Sequence, residues 1–248
     1  MLLKIAQGVF WILAVCLMPG TAYGEGRDVL PGNAAYKVEV FRGGTWEEIF
    51  VYNARVSDYA GNPEAGYTQY TMGFALFTDS FRQPLKVRVT RRAGTFSKVE
   101  IRPLSYGIVP DVQTPNSVEF ELDDPAQKVS VEFDDNRMEN LFILPDLPDT
   151  AIPTGANVTY FGPGIHNMGR KEILYKDNQT IYLDEGALVY GSIYAKGCRN
   201  LTIRGRGILC SSKENHGDGR QPQIETFDCN GFKIEGILLR DTPNWTLK

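Results

Sequence analysis

The chain has 248 residues, 42% of them hydrophobic and 11% aromatic, with 26 Lys and Arg against 30 Asp and Glu. That composition excludes a disordered chain. A net charge of −4, with no long stretch concentrating Lys and Arg, argues against a nucleic-acid partner.

Met1 to Gly24 reads as a secretory leader. Lys4 is its positive start, Val9 to Met18 is an apolar run of ten, Pro19 and Gly20 break it, and small residues, Ala22 and Gly24, stand at the cleavage-determining positions. The run is too short for a membrane span of about 20 residues. The alternative is a lipoprotein leader ending before Cys16, against which the bulky Val15 counts. The expectation is a secreted or periplasmic protein with no membrane attachment after cleavage. Residues 25–34 are a polar lead-in. Strand-like stretches, most of them alternating apolar and polar, follow at Tyr36–Val40, Trp46–Tyr52, Tyr70–Phe77, Leu85–Thr90, Val99–Arg102, Val118–Leu122, Val129–Phe133 and Leu141–Leu144. A period of two buries one face of each strand. Many such short strands predict an antiparallel β-sandwich over 25–145. Lys86, Arg88, Arg91 and Arg92 read as its solvated face. Pro145, Pro148 and Pro153 mark a proline-rich linker over 146–157, because proline cannot donate to a β-ladder.

From residue 158 the pattern changes. The segment Asn178–Leu183 is echoed by Asn200–Gly205, an offset of 22, and Cys198–Gly205 is echoed by Cys229–Gly236, an offset of 31. The nine extra residues fall in one polar stretch, Ser211–Gln223, read as a projecting loop. A period in the twenties with short β-branched runs predicts a solenoid. Strands are expected at Thr180–Leu183, Ala187–Tyr190, Leu201–Ile203, Phe232–Ile234 and Ile237–Leu239. The fold class is therefore all-β: an N-terminal antiparallel β-sandwich followed by the first coils of a right-handed parallel β-helix over 158–248. Asn178 and Asn200 recur with the coil and read as turn residues, although they and Asn157 and Asn244 are also formal glycosylation acceptors. Past the leader three cysteines remain, Cys198, Cys210 and Cys229, an odd count that is not a disulfide framework; Cys198 and Cys229 would stack near enough for a disulfide, but stacked side chains point the same way, and free thiols are the better reading. No Cys-x-x-Cys or His cluster calls for a metal, and nothing calls for a cofactor. His166 is expected to hydrogen-bond locally.

Phe161–His166, Asn178–Gly191, Ile203–Leu209 and Asp241–Thr246 together resemble the dextranase and isopullulanase family of glycoside hydrolases, and more distantly the polygalacturonases. The resemblance implies a β-sandwich before a right-handed parallel β-helix, a polysaccharide substrate, and inverting hydrolysis by aspartates on neighbouring coils. The Thr-Pro-x-Trp of Thr242 to Trp245 resembles a stretch that precedes the catalytic coils in polygalacturonases. The chain carries no matching aspartate motif, so the catalytic residues are expected beyond Lys248 and this chain is expected to be an inactive N-terminal part. A solenoid coil buries its apolar face only against its neighbours, which also points to a longer protein. Asp177, Asp184, Asp218, Asp228 and Asp241 are the aspartates weighed as substitutes. None is expected to pair with a second carboxylate at equivalent coil positions. The Ser211–Gln223 loop is expected to line one edge of a saccharide cleft. A second reading is a non-catalytic carbohydrate-binding or adhesion protein, with Tyr182, Tyr190 and Tyr194 stacking on sugars. A third is a polysaccharide lyase, for which no calcium-binding carboxylate cluster is visible.

Overall fold

A computed structural model describes residues 32–58, 68–214 and 221–248. The leader, the start of the lead-in, the loop predicted around 60–66, and His216 and Asp218 of the polar stretch lie outside the described residues.

The first ten strands are β1 (Tyr36–Arg42), β2 (Thr45–Ile49), β3 (Val51–Asp58), β4 (Thr68–Thr78), β5 (Leu85–Arg91), β6 (Val99–Arg102), β7 (Asp111–Thr114), β8 (Ser117–Leu122), β9 (Val129–Phe133) and β10 (Leu141–Asp146). They form two sheets, ordered β2-β1-β5-β8-β7 and β3-β4-β10-β9-β6. Their alternating inner residues, among them Val38, Val40, Val87, Val89, Val131 and Ile143, make one core. Pairing is antiparallel except between β10 and β4, which run parallel. Two details depart from the predicted strands. Trp46–Tyr52 is not one strand: β2 stays with β1, while β3 crosses to β4. Ile49, Phe50 and Val51 keep the apolar run unbroken through the crossing, so periodicity could not show it. Strand β7 was not predicted, because all four of its residues are exposed and it lacks alternation.

The remaining strands wind as a parallel β-helix. β11 (Val158–Phe161), β13 (Thr180–Leu183), β15 (Thr202–Gly205) and β18 (Lys233–Glu235) stack into a first wall. β12 (Gly164–Leu174), β14 (Ala187–Lys196), β16 (Ile208–Cys210), β17 (Ile224–Phe227) and β19 (Leu238–Arg240) build the others. The first half of β14 pairs with β16 and its second half with β17, so the sheet folds into a second and a third wall. The hinge in β14 is Gly191, at φ 153. The predicted offsets are the observed registers: Ile181 sits opposite Ile203, and Ile203 opposite Ile234.

The corner from the third wall to the first repeats in each coil. Tyr175, Gly197 and Asp228 open it, and Asn178, Asn200 and Gly231 close it; all six are left-handed, with φ between 50 and 73. Gly, Asn and Asp tolerate that conformation best, which explains most of this set. The Asn200 amide nitrogen donates to Asn178 Oδ1 at 2.9 Å, joining successive corners. Inside, Ile181, Leu183, Val189, Ile193, Leu201, Ile203, Leu209 and Ile224 stack coil on coil. All three described cysteines are free; Cys198 and Cys210 are buried and Cys229 half-buried.

The two parts meet face to face. The outer side of the β3-β4-β10 sheet (Tyr52, Phe74, Leu76, Phe142, Leu144) packs on the outward residues of the second wall (Leu188, Tyr190, Ile208, Cys210, Leu238). Glu185 caps the junction, accepting from the Thr78 backbone N–H at 2.9 Å and its hydroxyl at 2.8 Å. The prolyl segment after β10 straps the first wall. Asp149 accepts from the Tyr182 hydroxyl at 2.9 Å and pairs with Arg206 at 3.0 Å, and Arg206 also donates to the Leu147 carbonyl.

Candidate functional site

The polar stretch between β16 and β17 interrupts the ladder, and something must satisfy the backbone groups on either side of the break. Its two ends do so from inside. Ser211, Ser212 and Gln223, predicted as part of a projecting loop, are completely buried. The Gln223 side-chain amide donates to the carbonyls of Leu209 (2.8 Å) and Arg240 (3.2 Å), clipping two coils together. The Ser211 N–H reaches the same Arg240 carbonyl at 3.1 Å, and its hydroxyl donates to the Gly191 carbonyl at 2.6 Å. The mouth of the insertion is thus clamped shut at its base. Polarity was the misleading signal: polar side chains enter a core when each finds a partner, as Ser212 does in the Cys210 thiol at 3.3 Å.

Directly beneath lies a sealed ion pair. Arg240 donates through Nε to Asp241 Oδ2 at 2.9 Å, and both side chains are 1% exposed. Burying two charges is costly, so such a pair calls for full hydrogen bonding. Here Nη1 and Nη2 of Arg240, Oε1 of Gln223 and Oγ of Ser192 have no hydrogen bond to any described residue. The guanidinium stands 6.0 Å from the Phe74 ring of the sandwich. Tyr190, Cys210 and Arg240 form one outward column of the second wall. Burial pushes the Cys210 thiol up, against the pull of Arg240, which keeps it protonated and unreactive. Along the junction runs a cleft of about 200 Å³, lined in part by Phe50, Tyr52, Glu185 and Arg206. Its charged groups Glu48, Glu185 and Arg206 are already engaged with Arg92, Thr78 and the strap respectively.

The third wall is open. One outward column carries Glu172, Tyr194 and Glu225 in register, and the next carries Leu174, Lys196 and Phe227. The Arg170 guanidinium lies 4.9 Å from the Tyr194 ring and 3.6 Å from Glu225, which Lys248 also meets at 3.0 Å.

The aspartates singled out from sequence are scattered. Asp177 accepts from the Arg199 N–H at 3.0 Å, and Asp184 from the Tyr160 hydroxyl at 2.6 Å and from the Glu185 N–H. Asp228 holds a left-handed corner, and Asp241 is locked to Arg240. Asp177, Asp184, Asp228 and Asp241 form no aspartate pair at equivalent coil positions. Glu172 and Glu225, by contrast, share one outward column, and a search confined to aspartates missed them. His166 bonds through Nε2 to the Gly162 carbonyl at 2.7 Å, so Nε2 carries the proton, and the ring meets Phe161 edge-on. Among the tyrosines read as sugar-stacking, Tyr182 and Tyr190 are buried, at 1% and 5% exposure, under the strap and the sandwich respectively. Tyr194 alone of the three is partly open.

No protein-family profile and no curated protein matches the chain. Among solved structures, Dex49A from Penicillium minioluteum is similar, with 19% identity and a TM-score of 0.54. The match covers 87% of this chain and 59% of that one, so this chain spans less than two thirds of its length. The likeness is one of fold.

Proposed function

We propose that this chain is the N-terminal part of a secreted glycoside hydrolase that cleaves a polysaccharide with inversion. The observation that carries the reading is the likeness to Dex49A over 87% of the chain, which takes in sandwich and β-helix together. Coverage of only 59% of that structure supports further coils in the full-length protein. The catalytic aspartates belong to those coils, beyond Lys248. There, one protonates the leaving oxygen while others activate water from the opposite face. The residues described here prepare that site. The sandwich shields the second wall, and Ser211 and Gln223 tie the two ends of the polar stretch to neighbouring coils.

The test is to extend the reading frame past Lys248, express the longer protein, and measure reducing-sugar release and anomeric configuration on dextran, pullulan and polygalacturonate. The expected result is hydrolysis of one of them with inverted anomers, lost when aspartates on successive coils are replaced. A longer protein with no such aspartates, or with no hydrolysis of any of the three, overturns the reading. Glycan retention without hydrolysis leaves the carbohydrate-binding alternative.

A further inference from the structure

The corner from the third wall to the first demands a left-handed residue in every coil. Coils two and three meet the demand cheaply, with Gly197 and Asp228. Coil one uses Tyr175, at φ 52, where a bulky side chain is a rare and strained choice. Core packing does not explain it, since Tyr175 is 71% exposed. Its ring lies against the next corner: a Cβ on Gly197 would stand 2.5 Å from ring carbon Cδ1. Gly197 therefore makes the room that lets this ring rest across two coils.

A second exposed ring stands on the same edge. Phe227 of coil three is 54% exposed, and the Lys196 ammonium lies 5.4 Å from its centroid. Leu174, beside Tyr175, is 42% exposed and heads the column that ends in Phe227. Tyr175 and Phe227 are two coils apart, a rise of about 10 Å from two strand spacings. That is roughly the length of a disaccharide. Charges of both signs stand on this edge: Lys196 lies over the Phe227 ring, Asp228 follows Phe227 in the chain, and Glu172 heads the neighbouring column. A lipid surface or a protein partner would call for a continuous apolar patch. Separated rings edged by hydrogen-bonding groups instead suit the flat apolar faces and equatorial hydroxyls of sugar rings.

We propose that Tyr175 and Phe227 form an aromatic platform that holds a neutral polysaccharide along the third wall, on a different wall from the Arg240 cluster. The ligand class rests on the hydrolase reading, but none of these residues has a part in the proposed chemistry.

The experiment is affinity electrophoresis of the longer protein through gels containing dextran or pullulan, with polygalacturonate as the charged control. The expected result is retardation by a neutral polysaccharide. Tyr175→Asn and Phe227→Ala should each weaken the apparent affinity at least ten-fold, while Tyr175→Phe keeps it. Asn accepts φ 52 readily, so Tyr175→Asn should melt no lower than the parent, which separates lost binding from lost folding. No retardation by either neutral polymer, or retardation unchanged in both Tyr175→Asn and Phe227→Ala, overturns the proposal. Hydrolysis is scored on the same samples. Hydrolysis with retardation unchanged in both ring variants sinks the platform alone; ring-dependent retardation without hydrolysis sinks the hydrolase reading alone.

Discussion

Strand β14 passes through two walls, and its halves differ. In Ala187–Tyr190 every residue is buried: Ala187 and Val189 face the solenoid core, while Leu188 and Tyr190 face the sandwich. In Ser192–Lys196 the inward Ile193 and Ala195 are equally buried, but Tyr194 and Lys196 are half-open. Inward positions are dictated by the coil above and below. Outward positions are dictated by whatever covers the wall. The sequence reflects this, with an unbroken apolar run where both faces are covered and alternation where one is wet.

The sharpest way to break the comparison is at the hinge. A Cβ on Gly191 would stand 2.3 Å from the Gly169 carbonyl oxygen, at a φ that L residues rarely adopt. That carbonyl belongs to the ladder between β12 and β14 and cannot retreat without opening it. Gly191→Ala should cost roughly 5 kcal/mol, at the extreme for a single substitution. Chemical denaturation should show the solenoid melting apart from the sandwich, as the second wall pulls away from its cover.

The next test concerns charge under cover. Arg240→Met removes the cation paired with the buried Asp241 carboxylate, and should cost about 4 kcal/mol. Adding Asp241→Asn should recover most of that loss, because a buried pair often does no better than neutral groups of similar size. A urea midpoint series on both variants reads the difference. If the double variant is as unstable as the single one, the pair is not sealed off as described.

These contrasts also mark what was legible from residues alone. The coil period was plain, because stacking puts like residues at like positions: Asn178 over Asn200, Cys198 over Cys229. The inner rows followed from apolar spacing. Covering was not legible, because the cover comes from far along the chain. Nothing near Tyr182 announces Asp149, and nothing near Tyr190 announces Phe74. Ser211, Ser212 and Gln223 looked like loop because polarity reports composition, while burial of Ser211 and Gln223 depends on carbonyls supplied by Leu209, Gly191 and Arg240 of other strands. For the site, the aspartates at corners read correctly as turn residues. The guanidinium of Arg240 and the strained Tyr175 carry no local signature, since backbone conformation and burial emerge only once coils stack.

Tyrosine ionisation measures cover directly. Tyr160 and Tyr182 are neighbours in one outward column of the first wall, stacked at 5.9 Å. Tyr182 lies under the strap; burial first, and then its hydrogen bond to Asp149, push its pKa up to about 12. Tyr160 is open, and its pKa is raised chiefly by the hydrogen bond to Asp184. An acid whose folded pKa exceeds the unfolded value of about 10 adds stability that is complete below pH 10. That contribution fades as pH climbs towards 12, because the unfolded chain releases the proton first. Ultraviolet titration should therefore show Tyr182 ionising only as the fold is lost. In Asp149→Ala, which removes both the hydrogen bond and the strap's anchor, it should ionise earlier.

The smallest effect belongs to the open wall. Glu225 meets Lys248 at 3.0 Å and Arg170 at 3.6 Å, and the Lys248 side chain is 63% exposed. By distance these contacts rival the Arg240–Asp241 pair. Water differs: the Glu225 and Arg170 side chains keep 17% and 29% exposure where Arg240 and Asp241 keep 1%, so these charges gain less from meeting, and salt screens part of what remains. Glu225→Gln should change stability by about 1 kcal/mol or less at low ionic strength. The difference should vanish in high salt, whereas the loss in Arg240→Met should persist there. If Glu225→Gln costs as much as Arg240→Met, the third wall is covered in the protein that was measured, and distance rather than cover sets the worth of a charge pair.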